Sequence, residues 1–218
     1  DSLADQAHPL TSAQRDRQLM VQRNALRLLK LVNAILDFSR IEAGRAQVSF
    51  APTDLAKITQ ELCQLFSSLM YQSSLEYVLE IEPLSQPVYV DIDKWEKIVK
   101  KLISNAYKFT LKGRIKVTLK QEQDNIYFVV SDTGVGVADS EIPNLFKRFY
   151  RIENTQGRSF EGSGIGLAMI QELAKLHGGE ITAHSKLGEG TTFTVRIPLG
   201  SAHLPKEKVG EGNEERHV

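Results

Sequence analysis

Asp132 follows the apolar run FVV after a single serine, and the residues after it, TGVGVAD, place Gly134 and Gly136 within one short turn. A carboxylate at a strand end can accept hydrogen bonds from an exocyclic amine such as that of adenine. Glycines lack Cβ, so this turn can take positive φ and let a ligand come close to the backbone. Further on, EGSGIGLAMI places Gly162, Ser163, Gly164, Ile165, Gly166 and Leu167 at the start of a helix. Amides at a helix N-terminus bind phosphate, helped by the helix dipole. The third glycine comes one position too early for a dinucleotide fingerprint, and no Gly-Lys-Ser/Thr follows to make a P-loop. In KKLISNAYKFT, Asn105, Tyr107 and Lys108 lie near the C-terminal end of a helix. Asn105 offers a carbonyl oxygen to a hard cation such as Mg²⁺, and Lys108 offers a charge to phosphate. Taken singly, each piece has a plain reading: an ordinary D-x-G-x-G turn, or polar residues on a helix surface.

The elements that must hold these groups are legible from periodicity. Apolar residues at Leu28, Leu31, Val32, Ile35, Leu36 and Phe38 predict one long helix over residues 13–43, with Ser12 as its cap and Gly44 as its end. So wide an apolar stripe calls for a partner: a missing helix, a second subunit, or both. AQVSFAP reads as a short strand, and TDLAKITQELCQLFSSLMYQ as one amphipathic helix capped by Thr53. LEYVLEIE and PVYVD read as strands, IDKWEKIVKKLISNAYKFT as a helix, and residues 113–132 as a hairpin turning at QDN. GIGLAMIQELAKLHGG is a helix, and EITAHSKLGEGTTFTVRIPL a second hairpin. Helices mixed with antiparallel hairpins predict an α+β two-layer sandwich rather than a doubly wound parallel sheet. The expected division is a helical region over residues 1–45, a main domain over 46–200 and a flexible tail over 201–218. The abrupt start suggests a piece of a longer chain.

The order of pieces, asparagine helix, acid-glycine turn, glycine turn with helix and GEGTTFTVRIPL, resembles the ATP-binding domain of sensor histidine kinases, within the superfamily shared with gyrase-type topoisomerases and a heat-shock chaperone. The resemblance spans about residues 19–199 and is strongest to hybrid kinases. NALRLLKLVNAILDFSRIEAGR is similar to the second helix of their dimerisation hairpin. The resemblance implies a Bergerat-type fold with ATP and Mg²⁺ as cofactors. It implies that Asn105 coordinates Mg²⁺ and that Lys108 approaches the phosphates. Asp132 would accept from the adenine amine, Gly134 and Gly136 would shape the wall beside the base, and Thr191 or Thr192 would support that contact. Phe146 and Phe149 would anchor a lid running to Ser163, and Arg151 would reach phosphate as the lid closes. Gly162, Gly164 and Gly166 would cradle the phosphates with Leu167 packed beneath. The implied partners are ATP or ADP, a second copy through the helical hairpin of the intact parent, and the receiver domain of a response regulator. The implied location is cytoplasmic, in a parent that can be membrane-anchored.

Two departures from the family pattern keep alternatives open. No HELRTPL-like stretch supplies a phosphoacceptor histidine, and His8 sits in a loop-like QAHPLTSAQ. The family's asparagine one turn before Asn105 is Lys101 here, which could contact phosphate or compete with Mg²⁺. A regulatory module without turnover is therefore a second reading, and a gyrase-type or chaperone-type ATPase clamp a third.

Bulk properties exclude other classes. The 218 residues carry 27 basic and 27 acidic side chains, so no net basic charge points to nucleic acid or an anionic membrane. The lone Cys63, within an apolar run, rules out a disulfide framework and reads as a core thiol. No apolar run is long enough to span a bilayer, and no His/Cys cluster suggests zinc. His177 reads as a structural residue at a helix C-terminus.

Overall fold

The computed structural model describes residues 11–152, 157–158 and 164–210. The chain runs α1 (Ser12–Glu42), β1 (Ala51–Thr53), α2 (Leu55–Gln64), α3 (Ser67–Gln72), β2 (Glu76–Ile81), β3 (Val88–Val90), α4 (Ile92–Phe109), β4 (Arg114–Glu122), β5 (Asn125–Asp132), α5 (Gly166–Leu176), β6 (Glu180–Lys186) and β7 (Gly190–Pro198). Five strands form one mixed sheet in the order β2-β4-β5-β7-β6, with only the β2–β4 pair parallel. β1 and β3 make a separate antiparallel pair. The expected α+β sandwich is what forms.

Alternation builds the core. In β5, Ile126, Phe128, Val130 and Asp132 are buried on the helix-covered face, while the residues between them are half-exposed. α4 answers with Trp95, Ile98, Val99, Leu102, Ile103 and Ala106, all buried. Trp95 meets the Phe128 ring edge-on at 5.5 Å, and its indole N–H donates to Thr59 Oγ1 at 2.9 Å. The buried nitrogen therefore loses no hydrogen bond on leaving water.

Several local details differ from expectation. α1 is capped by Thr11, not Ser12, because Thr11 and Gln14 close a reciprocal capping box. Gly44 does follow the helix end, at φ +66°. Thr53 belongs to β1, buried with its hydroxyl on the Ala51 carbonyl at 2.9 Å, and Asp54 caps α2 instead. The single helix expected after it is broken at residues 65–66 into α2 and α3. The expected tail folds back as far as Gly210: Phe50 N–H donates to Lys208 O and Gly210 N–H to Phe50 O, and Leu204 is buried.

His177, at the end of α5, ties this region together. Its Nδ1–H donates to Leu173 O at 2.8 Å and its Nε2 accepts from Asp91 N–H at 3.2 Å. Asp91 in turn caps α4 through Lys94 N and accepts from Ser49 N. α1 joins the domain at its base, where Phe38 packs with Ile165 and Ala168 at the start of α5. Asp37 pairs with Lys97 at 2.9 Å, and Glu42 pairs with Arg148, whose guanidinium lies over the Phe38 ring. Toward its N-terminus, Leu28, Leu29, Val32 and Leu36 are exposed. No helix among the described residues is long and apolar enough to cross a membrane.

Candidate functional site

At one edge of the sandwich the turn after β5 meets the C-terminal end of α4, and the N-terminus of α5 lies against Lys101 in the middle of α4. Asp132, the last residue of β5, pairs with Thr191 of β7 and retains 7% of its surface exposure. Its Oδ1 accepts from Gly134 N–H at 2.8 Å. The turn is then pinned from both sides. Val135 N–H donates to Phe109 O at 3.1 Å, Gly188 N–H donates to Val135 O at 2.8 Å, and Val137 N–H donates to Ser185 Oγ at 2.8 Å. A Cβ on Gly134 would sit 2.8 Å from Asp132 Oδ1 and 2.8 Å from the Phe109 carbonyl carbon, so only glycine fits. The close backbone approach expected of this glycine is first an approach of the protein to itself.

Burial pushes the Asp132 carboxyl above its ordinary 3.8, and the amides of Gly134 and Thr191 with the nearby Thr110 hydroxyl partly offset this. Thr110 Oγ1 is buried yet completes no hydrogen bond of normal geometry. A buried hydroxyl left in that state is costly and points to a function. Thr191 and Thr192 separate here. Thr191 is buried on the Asp132 side, with Oγ1 2.8 Å from Ser185 Oγ, whereas Thr192 bonds Ser131 at 2.8 Å on the opposite face.

At the other end, Lys101, Asn105 and Lys108 follow one another along one flank of α4 at i, i+4 and i+7. Tyr107 leaves on the other flank: its hydroxyl is 2.9 Å from Ser73 Oγ, beside α3. Gly164 precedes α5 at φ +68°, and a Cβ there would lie 2.7 Å from Phe149 Cα. Phe149 N–H donates to Gly164 O at 2.9 Å, so the aromatic segment is fastened to the glycine turn by backbone. Phe146 packs its ring on Phe193, while the Phe149 ring is exposed. Ile165 is buried, Gly166 opens the helix, and Leu167 packs against the main core. Arg151 is exposed at the start of the expected lid. Gly162 and Ser163 lie outside the described residues.

Three residues near the site escaped the sequence reading. The half-buried Phe109 ring has Lys108 Nζ 4.9 Å from its centroid, and its carbonyl holds the Asp132 turn. Thr110 is the orphan hydroxyl. Arg158 donates from Nε to Tyr107 O and Thr110 O and from Nη2 to Leu111 O, covering the last carbonyls of α4. The one signal was KFT itself, an aromatic and a hydroxyl at a helix end. Among the described residues no group of three His, Cys, Asp or Glu could hold a metal by itself.

Residues 90–201 match the family model described as histidine kinase-, DNA gyrase B- and HSP90-like ATPase. The chain is 35% identical over 205 residues to hybrid signal transduction histidine kinase D of Dictyostelium discoideum, covering 89% of this chain and 13% of that protein. It is 36% identical to the circadian input-output histidine kinase CikA of Synechococcus elongatus, covering 91% and 27%. Among solved structures, full-length ShkA in complex with AMPPNP superposes with a TM-score of 0.73 at 28% identity, over 90% of this chain and 42% of that one. The chain thus spans well under a third of the length of these two curated relatives.

Proposed function

Because the chain belongs to the histidine kinase-, DNA gyrase B- and HSP90-like ATPase family, we propose that its two glycine turns enclose one adenine nucleotide and that it is the catalytic domain of a sensor histidine kinase. The observation that carries this reading is the buried Asp132 carboxyl beside the orphan Thr110 hydroxyl. Asp132 keeps some exposure and offers an acceptor to the exocyclic amine of adenine, with the fully buried Thr110 hydroxyl behind it to orient the carboxylate. A base seated there has its phosphates facing the N-terminus of α5 and the Lys101–Asn105–Lys108 flank. The AMPPNP held by ShkA supports the same ligand class.

The donor set fits Mg²⁺. This ion keeps several waters and takes few protein ligands when phosphate oxygens are present. Asn105 supplies its one carboxamide oxygen. When bound, the ion neutralises charge on the terminal phosphates. The protein's own work is positioning: Asp132 fixes the base, the α5 amides hold the phosphates, and Lys108 adds charge. The γ-phosphoryl then passes to an imidazole nitrogen on a helix that pairs with α1 in the intact parent. The P–N bond forms as the bond to the β-phosphate oxygen breaks, and ADP leaves. The exposed apolar stripe of α1 supports dimerisation through that hairpin, with relay to a receiver aspartate. A regulatory module without turnover gains no support from the geometry or from relatives named as kinases.

Calorimetric titration with ADP and AMPPNP tests the reading. Micromolar affinity, about −8 kcal/mol, lost in Asp132→Asn, is expected. Absence of binding by the unaltered chain would sink it.

A further inference from the structure

Lys101 differs from its neighbours. Along α4, Lys94 pairs with Asp91, Lys97 with Asp37 and Lys100 with Glu96, but Lys101 has no ion-pair partner among the described residues. It is exposed, so its ammonium is held there without a desolvation cost. Its stem lies across the first residue of α5: a Cβ on Gly166 would meet Lys101 Cε, with Nζ 3.4 Å away. An unpaired cation is thus stationed at a helix N-terminus whose amides already favour an anion. Lys101 also borders a cavity of about 650 Å³ between α1, α4 and α5, which leaves room beyond the helix start.

Position along α4 says which anion it meets. At about 1.5 Å per residue, Lys101 lies about 6 Å beyond Asn105, on the side away from Lys108 and the Asp132 turn. A nucleotide with its base at Asp132 brings its α- and β-phosphates past Lys108 and Asn105 before any phosphate reaches Lys101. Resting on the nucleotide reading above, we infer that Lys101 is the reader of the terminal phosphate: a built-in cation that lets this domain distinguish a nucleoside triphosphate from a diphosphate without a divalent metal. Within about 4 Å of a phosphate the ammonium is strongly attractive, and it repels a second cation at the same oxygens. Mg²⁺ and Lys101 therefore partly substitute for each other at the third phosphate, while the first two phosphates are indifferent to Lys101.

The test is calorimetric titration of the 218-residue chain with ADP and with AMPPNP, in Mg²⁺ and in EDTA. The variants are Lys101→Met, Lys101→Arg and Lys100→Met. In EDTA the unaltered chain binds AMPPNP about fivefold or more tighter than ADP. Lys101→Met erases that preference while its ADP affinity stays within about twofold, and Lys101→Arg restores it. Lys100→Met, which removes the same charge from a paired neighbour, leaves the preference intact. An equal AMPPNP preference in Lys101→Met and the unaltered chain overturns the inference, as does loss of the preference in Lys100→Met. Retained ADP binding in Lys101→Met keeps the nucleotide reading standing whichever way the AMPPNP arm falls. Failure of the unaltered chain to bind either nucleotide removes both.

Discussion

At the scale of single residues, the proposed role of Asp132 sets binding against stability. Its folded-state pKa lies above its unfolded value because burial disfavours the charged form. Between those two values the folded state holds more protons than the unfolded one, so stability falls as pH rises through that window. At neutral pH the buried carboxylate is a standing cost. Asp132→Asn should therefore raise the melting temperature at pH 7, by about 2–4 °C for each kcal/mol relieved in a chain of this size, while nucleotide affinity drops at least tenfold. Melting curves from pH 7 down to about pH 4 check the sign, because the gap between variant and parent should close as the carboxyl protonates. An unchanged or lower melting temperature at pH 7 would contradict it. Cys63 gives a second residue-level expectation. Fully buried, its thiol is pushed up to about 12, the desolvation outweighing a hydrogen bond with Tyr77. It should resist Ellman's reagent at pH 8 until denaturant is added; fast labelling of the native chain would count against this packing.

At the scale of elements, the pair Asp91–His177 joins the start of α4 to the end of α5. Burial holds the His177 imidazole below its ordinary 6.5, outweighing the Leu173 carbonyl and the Asp91 charge, with His203 and Lys94 adding to the lowering. A neutral ring is what the geometry requires, since Nε2 accepts from Asp91 N–H. The unfolded state protonates first as pH falls, so this stabilisation is complete above 6.5 and is lost below it, through the depressed folded value. His177→Gln should flatten the fall in melting temperature between pH 7 and 5; an unchanged slope would assign that fall to other groups. The sequence announced elements where one period ruled: the hairpin of β4 and β5 is legible because apolar residues alternate, and α4 because its stripe is unbroken. It misled where two local choices compete. Thr53 and Asp54 are both capping types, and only tertiary packing draws Thr53 into β1. The break between α2 and α3 has no glycine or proline to mark it. Asp132 and Asn105 were proposed from side-chain chemistry, and the structure places them at the end of β5 and toward the end of α4. Phe109 and Arg158 were not, because they act through carbonyls and stacking that exist only once α4 meets the turn.

At the scale of the whole molecule, α1 is joined to the domain at its base and presents apolar side chains along much of the rest. Such a stripe is unfavourable in water, so the chain should self-associate. Sedimentation should show a concentration-dependent dimer, and Leu28→Glu with Val32→Glu should return it to a monomer that still binds ADP. A monomer at every concentration would contradict this. Phe38 packs on Ile165, the residue immediately before α5, and Arg148, in the segment after the short turn Ile142–Asn144, pairs with Glu42. A helix of 31 residues extends over roughly 46 Å. It is a lever arm whose short end rests on the turn that opens α5. A modest twist applied at the far end would be delivered as torque to the start of α5, where the proposed nucleotide reading seats the phosphates.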